Sequence, residues 1–178
     1  MQNSAKPIRL NLACGSEPKS GWVNLDCRLV PKSTDLVADI ERLPFPNQFF
    51  DEVAAENVLE HLRDPRIALS EIARITKPAG QLVVRVPALG TNAAHLDPTH
   101  VYLADLKHWH EIVSEFFLDV QLGSVGVKWR SSLSLVIVQR LLIRILGWHD
   151  FGQCWILTAR RPRTSIQVRI YRRWWLDS

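Results

Sequence analysis

The stretch IRLNLACGSEPKSGWVNLD, residues Ile8–Asp26, holds two short apolar runs on either side of a tight turn. We expect Ile8 to Leu12 to form a buried strand that enters the turn Ala13–Gly15, and Trp22 to Asp26 to form a second strand. Only the six residues Ser16–Gly21 separate the turn from the second strand, whereas a parallel crossover normally takes about a dozen residues or more. Either the first helix has shrunk to a turn, or the strands are shorter than their apolar pattern indicates.

Beyond this stretch, segments typical of strands alternate with segments typical of helices. Strands are predicted at Asp35 to Ala38, Phe50 to Ala55, Gln81 to Val86, Val120 to Val127 and Cys154 to Ala159. Helices are predicted at Asn57 to His61, from Asp64-Pro65 to about Thr76, at Leu103 to Phe116 and at Ser131 to Trp148. The turn Lys77–Gly80 is expected to end the second of these helices before the next strand begins. This alternation predicts an α/β protein with a largely parallel sheet.

The length and composition indicate a single globular domain. The chain has 178 residues, of which 47% are apolar and 22% charged, a balance that excludes a disordered protein. We expect no secretion signal and no membrane-spanning helix, because the N-terminus has no apolar core and no run of about 18 apolar residues occurs. Three cysteines are too few for a disulfide framework, so a reducing compartment is expected. We assign residues 1–163 to one domain and residues 164–178 to a basic, Trp-rich tail, in a cytoplasmic protein that could also contact a membrane.

The charge is distributed unevenly along the chain. Residues 1–127 contain 12 Lys and Arg against 16 Asp and Glu, whereas residues 128–178 contain 10 against 2, together with five of the seven tryptophans. Such asymmetry is typical of a protein with an anionic partner, although arginines that only solvate a small fold would give the same pattern. The segment Ser131 to Trp148 fits a core helix, a lid over an acceptor pocket, or a helix at an anionic membrane surface beside the basic tail. A nucleic-acid partner is disfavoured, because the chain has no recognisable nucleic-acid module and its larger part is acidic.

Three successive predicted strands end in residues suited to binding a nucleoside. The small residues Ala13–Gly15 allow the backbone to approach a ligand closely. Asp26, at the end of the second strand, is placed to accept hydrogen bonds from both ribose hydroxyls, and Asp39, after the third, is placed to receive an adenine amino group. An aspartate at a strand end is more often a turn or cap residue, so the indication comes from the order and spacing of all three.

Several longer motifs make the assignment more specific. They are LNLACG at Leu10–Gly15, GWVNLD at Gly21–Asp26, ADIERLPFPNQFFDEV at Ala38–Val53, ENVLEHL at Glu56–Leu62, ALSEIARITKPAGQLVVRVP at Ala68–Pro87 and, more loosely, DPTHV at Asp97–Val101. The combination resembles class I S-adenosylmethionine-dependent methyltransferases, in particular a compact subgroup associated with glycan and cell-envelope biosynthesis. The resemblance implies S-adenosylmethionine as cofactor and a Rossmann-like methyltransferase fold. This fold is a mostly parallel seven-stranded sheet with helices on both faces, and the last two predicted strands would form its antiparallel edge hairpin.

The resemblance also implies which residues bind the cofactor. The turn after the first strand would line the methionine end, the second strand would supply the ribose ligand, the third the adenine contacts, and the fourth the residues that face the sulfonium. In that order the residues are Asn11, Ala13, Cys14 and Gly15; Asp26; Asp39 and Ile40; Glu56 and Asn57. The family usually has glycine where Ala13 and Ala79 stand, and often at Ser16 or Glu17. Cys14 fits a small buried residue better than a reactive thiol.

Methyl transfer from a sulfonium is an in-line displacement, which needs a base only when the acceptor holds its proton tightly. The candidate catalytic residues are His61, Asp97 and His100. His61 would either contact the acceptor or fix its own loop through a backbone hydrogen bond. In the loop AAHLDPTH, the residues His95, Asp97 and His100 fit loop capping, acceptor binding or base catalysis, or metal ligation. The spacing H-x-D-x-x-H is a weak ligand signature, and we predict no metal site.

The sequence therefore predicts an enzyme that transfers a methyl group from S-adenosylmethionine to an oxygen or nitrogen atom of a small-molecule or glycan-type acceptor. The alternative is a degenerate member of the fold that binds the cofactor or a partner without catalysis, which the altered glycine turn would favour. A nicotinamide-dependent oxidoreductase fits poorly, since the G-x-G-x-x-G motif is missing. The oligomeric state is not predicted.

Overall fold

The computed structural model describes residues 6–89, 91–125 and 154–163. The strands over these residues are β1 Arg9–Leu12, β2 Val23–Asp26, β3 Leu36–Val37, β4 Phe50–Glu56, β5 Thr76–Pro87, β6 Phe117–Val125 and β7 Cys154–Pro162. The helices are a 3₁₀ turn at Leu59–His61, α1 Pro65–Ile75, α2 Asn92–His95 and α3 Leu106–Phe116. None of these helices has the length and hydropathy that crossing a membrane requires.

The seven strands of the described residues form one sheet in the order β3-β2-β1-β4-β5-β7-β6. Strands β1 to β5 run parallel, and β7 runs antiparallel to both β5 and β6. The prediction of a mostly parallel seven-stranded sheet with an antiparallel pair at one edge is therefore confirmed. The strand order reverses between β1 and β4, and ligands of open α/β sheets bind at such a reversal, beyond the carboxyl ends of the strands.

No helix lies between β1 and β2, so the first crossover has indeed shrunk to a turn. Two buried amides support the loop that takes its place. Asn11 Nδ2 donates to Asn24 Oδ1 in β2 (3.0 Å) and to Glu17 O (3.3 Å). Asn24 Oδ1 also accepts from Lys19 N–H (2.7 Å), and Asn24 Nδ2 donates to Lys19 O and Trp22 O (both 3.3 Å). These bonds satisfy the backbone of a loop that has no secondary structure of its own.

Several predicted elements are present with shifted ends. The third strand is reduced to Leu36–Val37, and the helical segment after β4 is only the 3₁₀ turn at Leu59–His61. Helix α3 begins three residues later than predicted, because Asp105 caps it by accepting a hydrogen bond from His108 N–H (2.7 Å). The predicted helix at Ser131 to Trp148, the tail at residues 164–178 and the end of the strand predicted to reach Val127 lie outside the described residues.

The start of β5 corrects the predicted turn at Lys77–Gly80. The strand range begins directly after α1, where Thr76 pairs with Phe50, and regular pairing resumes between Gln81 and Glu52. Residues 77–80 therefore form a bulge within the pairing of β5 with β4, whereas the sequence predicted a turn before the strand began. The glycine of the turn permits this close passage, because a Cβ there would lie 3.0 Å from two carbonyl oxygens of β4.

Helix α1 begins at Asp64-Pro65, as predicted. Of the apolar stripe predicted for it, the structure buries Ala68, Leu69, Ile72, Ala73 and Ile75, whereas Ile67 is 44% exposed. Asp64 Oδ1 accepts from Arg66 N–H (3.1 Å), and Pro65 occupies the first turn. Helix α3 packs against α1, and the Arg66 guanidinium makes a two-bond pair with the Glu115 carboxylate (3.0 Å for each bond). Both long helices that the structure describes therefore lie on the same face of the sheet.

The two faces of the sheet differ in polarity. Toward α1 and α3, the strand residues are apolar and almost fully buried: Leu10, Leu12, Leu25, Val53, Ala55, Leu82, Val84 and Val86. Residues that alternate with them carry ion pairs, between Arg9 and Glu52 (3.2 Å) and between Arg85 and Glu56 (3.2 Å). Because no helix occurs between β1 and β4, the described helices cover the apolar face, and the prediction of helices on the opposite face is not tested by them.

Candidate active site

The turn after β1 is closed by the end of β2. Ala13 and Gly15 both have left-handed backbone φ angles, 51° and 49°, and Cys14 N–H between them donates to Leu25 O (3.0 Å). Gly15 N–H donates to Asp26 Oδ2 (2.9 Å). Glycine adopts this conformation freely, whereas an L-residue is strained there by roughly 1–2 kcal/mol. Ala13 therefore adopts a left-handed conformation that a glycine would take without strain.

The side chain of Asp26 is held from two sides. Gly15 N–H binds Oδ2, Arg28 N–H donates to Oδ1 (3.0 Å), and only 7% of the residue is exposed. Burial by itself raises the pKa of this carboxyl. The two backbone donors, with smaller contributions from the Cys27 thiol and the Arg28 charge, outweigh burial and lower the pKa below its ordinary value. Each oxygen keeps a further lone pair. An ionised and oriented acceptor therefore lies at the carboxyl end of β2, where the ribose-binding residue is predicted.

The Cys14 side chain turns inward from this turn. It is 6% exposed, and its Sγ lies 3.6 Å from Ser33 O and 3.8 Å from Thr34 Oγ1. Burial raises the pKa of the thiol, and a protonated buried thiol is a poor nucleophile. Cys14 is thus the small buried residue that its position in the turn predicts.

Asp39 and Ile40 follow β3 at the same edge of the sheet. Ala38 N–H donates to Asp26 O (3.0 Å), which joins the end of β3 to the end of β2. The Asp39 side chain is exposed and accepts from Glu41 N–H (2.9 Å), while Ile40 is half-buried against the core. Asp39 makes the local turn bond that is common for aspartate. An exposed carboxylate beside an apolar side chain is also an arrangement that suits an adenine ring.

The end of β4 carries a charged cluster that sequence reasoning missed. The Glu56 carboxylate binds Lys19 Nζ through Oε1 (2.6 Å) and lies 3.2 Å from Arg85 Nη2 through Oε2. Lys19 Nζ also lies 5.1 Å from the centroid of the Trp22 ring. Asn57 follows with a left-handed φ of 52° and is exposed. A ligand at this strand end would meet a paired cluster of charges and not an isolated carboxylate.

The 3₁₀ turn after β4 buries a glutamate. Glu60 is 1% exposed, and neither of its carboxylate oxygens has a hydrogen-bond partner among the described residues. Its backbone carbonyl accepts from Val101 N–H (3.0 Å) and Tyr102 N–H (2.9 Å), which ties the turn to the loop that precedes α3. Burial raises the pKa of Glu60 to about 7, although its own backbone N–H and then the nearby His100 side chain oppose the shift.

The same loop carries two of the predicted catalytic residues. The rings of His61 and His100 lie 4.7 Å apart between centroids. His61 Nδ1 lies 3.2 Å from Thr99 O and 2.9 Å from Thr99 Oγ1, and His100 Nδ1 lies 3.0 Å from Ala94 O. Asp97 Oδ2 is 3.7 Å from His100 Nε2. The structure therefore brings His61, Asp97 and His100 together.

His95 does not join this group, and Glu60 does. His95 is exposed at the end of α2. One ligand-type atom of each of Glu60, His61 and His100 lies within 4.8 Å of the others. The signal that would have found Glu60 is a charged residue inside the otherwise apolar run VLEHL, since glutamate is rarely buried without a partner.

The segment LPFPN, residues 43–47, links the predicted adenine contacts to β4. Its closely spaced prolines exclude regular structure, and a side-chain pair on α1 binds its backbone instead. Arg74 donates to the carbonyls of Leu43 (3.0 Å) and Phe45 (2.7 Å). Glu71 accepts from Leu43 N–H (2.9 Å) and pairs with Arg74 (2.8 Å). The side chains of Glu71 and Arg74 thus fasten this segment to α1.

Part of this chain resembles known methyltransferases in sequence. Residues 12–84 match the family model described as a methyltransferase domain. The chain is 45% identical over 102 residues to the ubiquinone/menaquinone biosynthesis C-methyltransferase UbiE of Bordetella parapertussis, covering 46% of this chain and 38% of that protein. It is 29% identical over 126 residues to the demethylmenaquinone methyltransferase of Mycolicibacterium paratuberculosis, covering 58% and 54%. The chain thus spans about half or less of the length of these relatives.

Solved structures share the fold at low sequence identity. A SAM-dependent methyltransferase from Archaeoglobus fulgidus superposes with a TM-score of 0.64 at 18% identity, over 88% of this chain and 86% of that one. A phosphoethanolamine N-methyltransferase from Haemonchus contortus, in complex with S-adenosylhomocysteine, gives a TM-score of 0.60 at 15% identity, over 90% and 50%.

The comparisons decide some predictions and leave others open. The class of methyltransferase, the fold and the cofactor of the family are confirmed. The glycan-related subgroup, the roles of single residues, the division at residue 163 and the cytoplasmic location stay predictions. Residues 12–84 therefore match a methyltransferase domain, and the described residues have the fold of S-adenosylmethionine-dependent methyltransferases.

Proposed function

We propose that this protein is an enzyme that transfers a methyl group from S-adenosylmethionine to a small-molecule acceptor. The observation that carries the proposal is the Asp26 carboxylate, which Gly15 N–H and Arg28 N–H hold ionised at the carboxyl end of β2. Strand β2 is the neighbour of β1, and the strand order reverses on the other side of β1, between β1 and β4. A carboxylate fixed in this way accepts ribose hydroxyls without first reorganising, which favours tight binding of a nucleoside.

The other residues proposed to contact the methyl donor, S-adenosylmethionine, lie at the same edge of the sheet. With Asp26, the proposed set is Asn11, Ala13, Cys14, Gly15, Asp39, Ile40, Glu56 and Asn57. Within it, Asn11 acts by holding the loop through Asn24, because its amide is buried and already bonded. Lys19 is an addition to the set, since an ammonium group beside the turn suits the carboxylate of a methionine moiety. When bound, the cofactor supplies an activated methyl group, and the chain orients it.

We place the acceptor beyond β4 and β5, where His61, Asp97 and His100 meet. The Nδ1 atoms of both histidines lie within hydrogen-bond distance of carbonyl oxygens, and His61 Nδ1 also of Thr99 Oγ1. In the tautomer that donates from Nδ1 to these carbonyls, Nε2 keeps a lone pair. An imidazole of this form accepts a proton from a hydroxyl group or a protonated amine as the methyl group is transferred. His100 is the better placed of the two, because its side chain is only 8% exposed and its Nε2 lies 3.7 Å from Asp97 Oδ2.

Two classes of acceptor follow from different observations. The sequence predicts an oxygen or nitrogen atom of a small molecule or glycan precursor. The relatives named for ubiquinone and menaquinone synthesis favour a second candidate, a ring carbon of a phenolic quinone precursor. A base serves both chemistries, since deprotonating a phenol activates its oxygen and its ring carbons alike.

Two measurements on the full chain test the proposal separately. Calorimetry with S-adenosylhomocysteine measures the donor site, and transfer of a labelled methyl group to a panel of phenols, quinone precursors, amines and glycan precursors measures activity. We expect binding that Asp26→Ala weakens and that Asp119→Asn, on the distant strand β6, leaves unchanged. Binding without transfer to any acceptor class would favour the degenerate binding protein, and no binding by the intact chain would overturn the proposal.

A further inference from the structure

A buried glutamate and two histidines form a cluster that the donor site does not explain. Both carboxylate oxygens of Glu60 lack a hydrogen-bond partner among the described residues, and the residue is 1% exposed. A buried polar group without a partner is costly, and in folded proteins such a group commonly marks a missing ligand or ion. We propose that Glu60, His61 and His100 bind a divalent transition-metal ion.

The three side chains converge closely enough to share one ion. One nitrogen or oxygen atom of each lies within 4.8 Å of the others. Metal–ligand bonds of about 2.0–2.2 Å place the ligand atoms of a tetrahedral ion ~3.3 Å apart. The difference of roughly 1.5 Å is within the reach of side-chain rotation about bonds that join these groups to the backbone.

The histidines are already oriented as metal ligands. A ligating imidazole almost always donates its other ring N–H to a carbonyl or carboxylate, which fixes the tautomer and the ring plane. His100 Nδ1 faces Ala94 O (3.0 Å), and His61 Nδ1 faces Thr99 O (3.2 Å). These contacts leave Nε2 of each ring as the nitrogen available to an ion.

The backbone holds the ligands in place before an ion binds. The carbonyl of Glu60 accepts hydrogen bonds from the N–H groups of Val101 and Tyr102, directly after His100. The turn that carries two ligands is thereby fastened to the loop that carries the third. Such support lowers the entropy that ligand ordering would otherwise cost.

The donor set indicates the class of ion. Two imidazoles and one carboxylate suit Zn²⁺, Fe²⁺, Co²⁺ or Ni²⁺, whereas Ca²⁺ and Mg²⁺ prefer oxygen ligands. Asp97 Oδ2, 3.7 Å from His100 Nε2, is a candidate fourth ligand. Three protein ligands with an open position are typical of catalytic zinc sites, in which water or substrate completes the coordination.

The position of the cluster suggests a use for the ion. The ligands follow β4 and β5 at the carboxyl edge of the sheet, on the proposed acceptor side. There an ion would bind an acceptor oxygen and favour its ionised form, which is the task that the proposed function gives to a histidine base when no ion is bound. This use rests on the proposed function, whereas metal binding itself does not.

Metal titration of the full chain tests the inference without any methyl donor. Protein stripped by a chelator is titrated with Zn²⁺ in a calorimeter and with Co²⁺ under visible absorption. We expect one ion per chain, with a Kd below ~1 µM, and the visible bands of a Co²⁺ ion with nitrogen ligands. Glu60→Gln and His61→Gln should each weaken binding at least ~100-fold. His110→Gln, on α3 and outside the cluster, is the control and should bind normally.

The outcomes separate the metal site from the methyltransferase. Binding that Glu60→Gln and His61→Gln lose and His110→Gln keeps supports the site, provided that circular dichroism shows the variants folded. His61 is partly exposed, so His61→Gln remains informative even if the buried Glu60→Gln variant fails to fold. No binding, equal binding by the ligand variants, or loss in the control would overturn the proposal. S-adenosylhomocysteine affinity, measured in parallel, reports on the donor site alone.

Discussion

The proposed donor side, around Asn11 to Asp26, and the proposed acceptor side, around His61, Asp97 and His100, are assembled in different ways. On the donor side, hydrogen bonds join residues close in sequence: Gly15 to Asp26, 11 positions apart, and Asn11 to Asn24, 13 apart. On the acceptor side, His61 meets Thr99, 38 positions away. The glycine turn and the ribose carboxylate can therefore be recognised in one short stretch of sequence. The Glu56–Lys19 pair, 37 positions apart, and the proposed acceptor side form only when distant segments fold together. A shared donor with a variable acceptor is consistent with this division.

The largest effect that this comparison predicts is a separation of turnover from donor affinity. His100→Ala should lower kcat by about 100-fold or more, because it removes an acceptor-side group, while the affinity for S-adenosylhomocysteine changes less than about twofold. Kinetics on an acceptor found in the panel and calorimetry on the same variant measure the two quantities. Equal losses in both would show that the loop supports the donor site too, and the two sides would not be independent.

The next effect concerns the Glu71–Arg74 pair on α1, which binds the backbone of residues 43–47 next to the proposed donor side. Arg74, opposed by burial, holds the pKa of Glu71 below its ordinary value. A lowered pKa stabilises the fold above the unfolded-state pKa, and the gain is lost as the pH falls through the folded-state pKa. Glu71→Gln should lower the free energy of unfolding by about 2 kcal/mol near neutral pH. This difference between the wild type and the variant should become smaller as the pH is lowered.

Urea denaturation of the wild type and the variant, at about pH 7 and about pH 3.5, measures this difference. Glu115→Gln is the matched control, because Glu115 pairs with Arg66 on the surface with 47% of its side chain exposed. That change should cost about 1 kcal/mol or less. If the stability difference between the wild type and Glu71→Gln is the same at both pH values, the charge of Glu71 is not its cause.

A tenfold effect is expected from the centre of the donor side. Asp26→Ala removes the carboxylate that Gly15 and Arg28 hold, and it should weaken S-adenosylhomocysteine binding at least ~10-fold, or about 1.4 kcal/mol. Calorimetry gives the affinity, and circular dichroism shows whether the fold is intact. Unchanged affinity in a folded variant would remove Asp26 from the ribose site and would place the donor elsewhere.

The smallest predicted effect tests strain in the turn after β1. Ala13 has a φ of 51°, so Ala13→Gly relieves roughly 1–2 kcal/mol of strain and loses roughly 0.5–1 kcal/mol to the more flexible unfolded chain. The variant should therefore be more stable by about 0.5–1 kcal/mol. Ala68→Gly, in α1, should be destabilised by about 1 kcal/mol or more. Thermal unfolding compares the two, and destabilisation of both would show that Ala13 is not strained.

The features that could be predicted from the sequence are those that depend on residues within one short segment. The cap at Asp64 with Pro65 and the apolar stripe on α1 follow from hydrogen bonding and periodicity within one segment. The early start of β5 was missed, because it depends on Thr76 pairing with Phe50 across the sheet. Lys19 and Glu60 were missed for the same reason, since their importance lies in neighbours from other strands and loops.

The amino-acid sequence alone determined the α/β alternation, the glycine turn and the aspartate at the end of the second strand, because these depend on backbone preferences and on neighbours within about a dozen residues. The tertiary structure decided which side chains became partners. Asn11 and Asn24 hold a loop in the place where a helix normally connects two parallel strands. Glu60 and His61 were brought together with His100 from a separate segment. The physical reason is that burial and charge pairing act through space, so their effect on a residue is set only when the chain has closed around it.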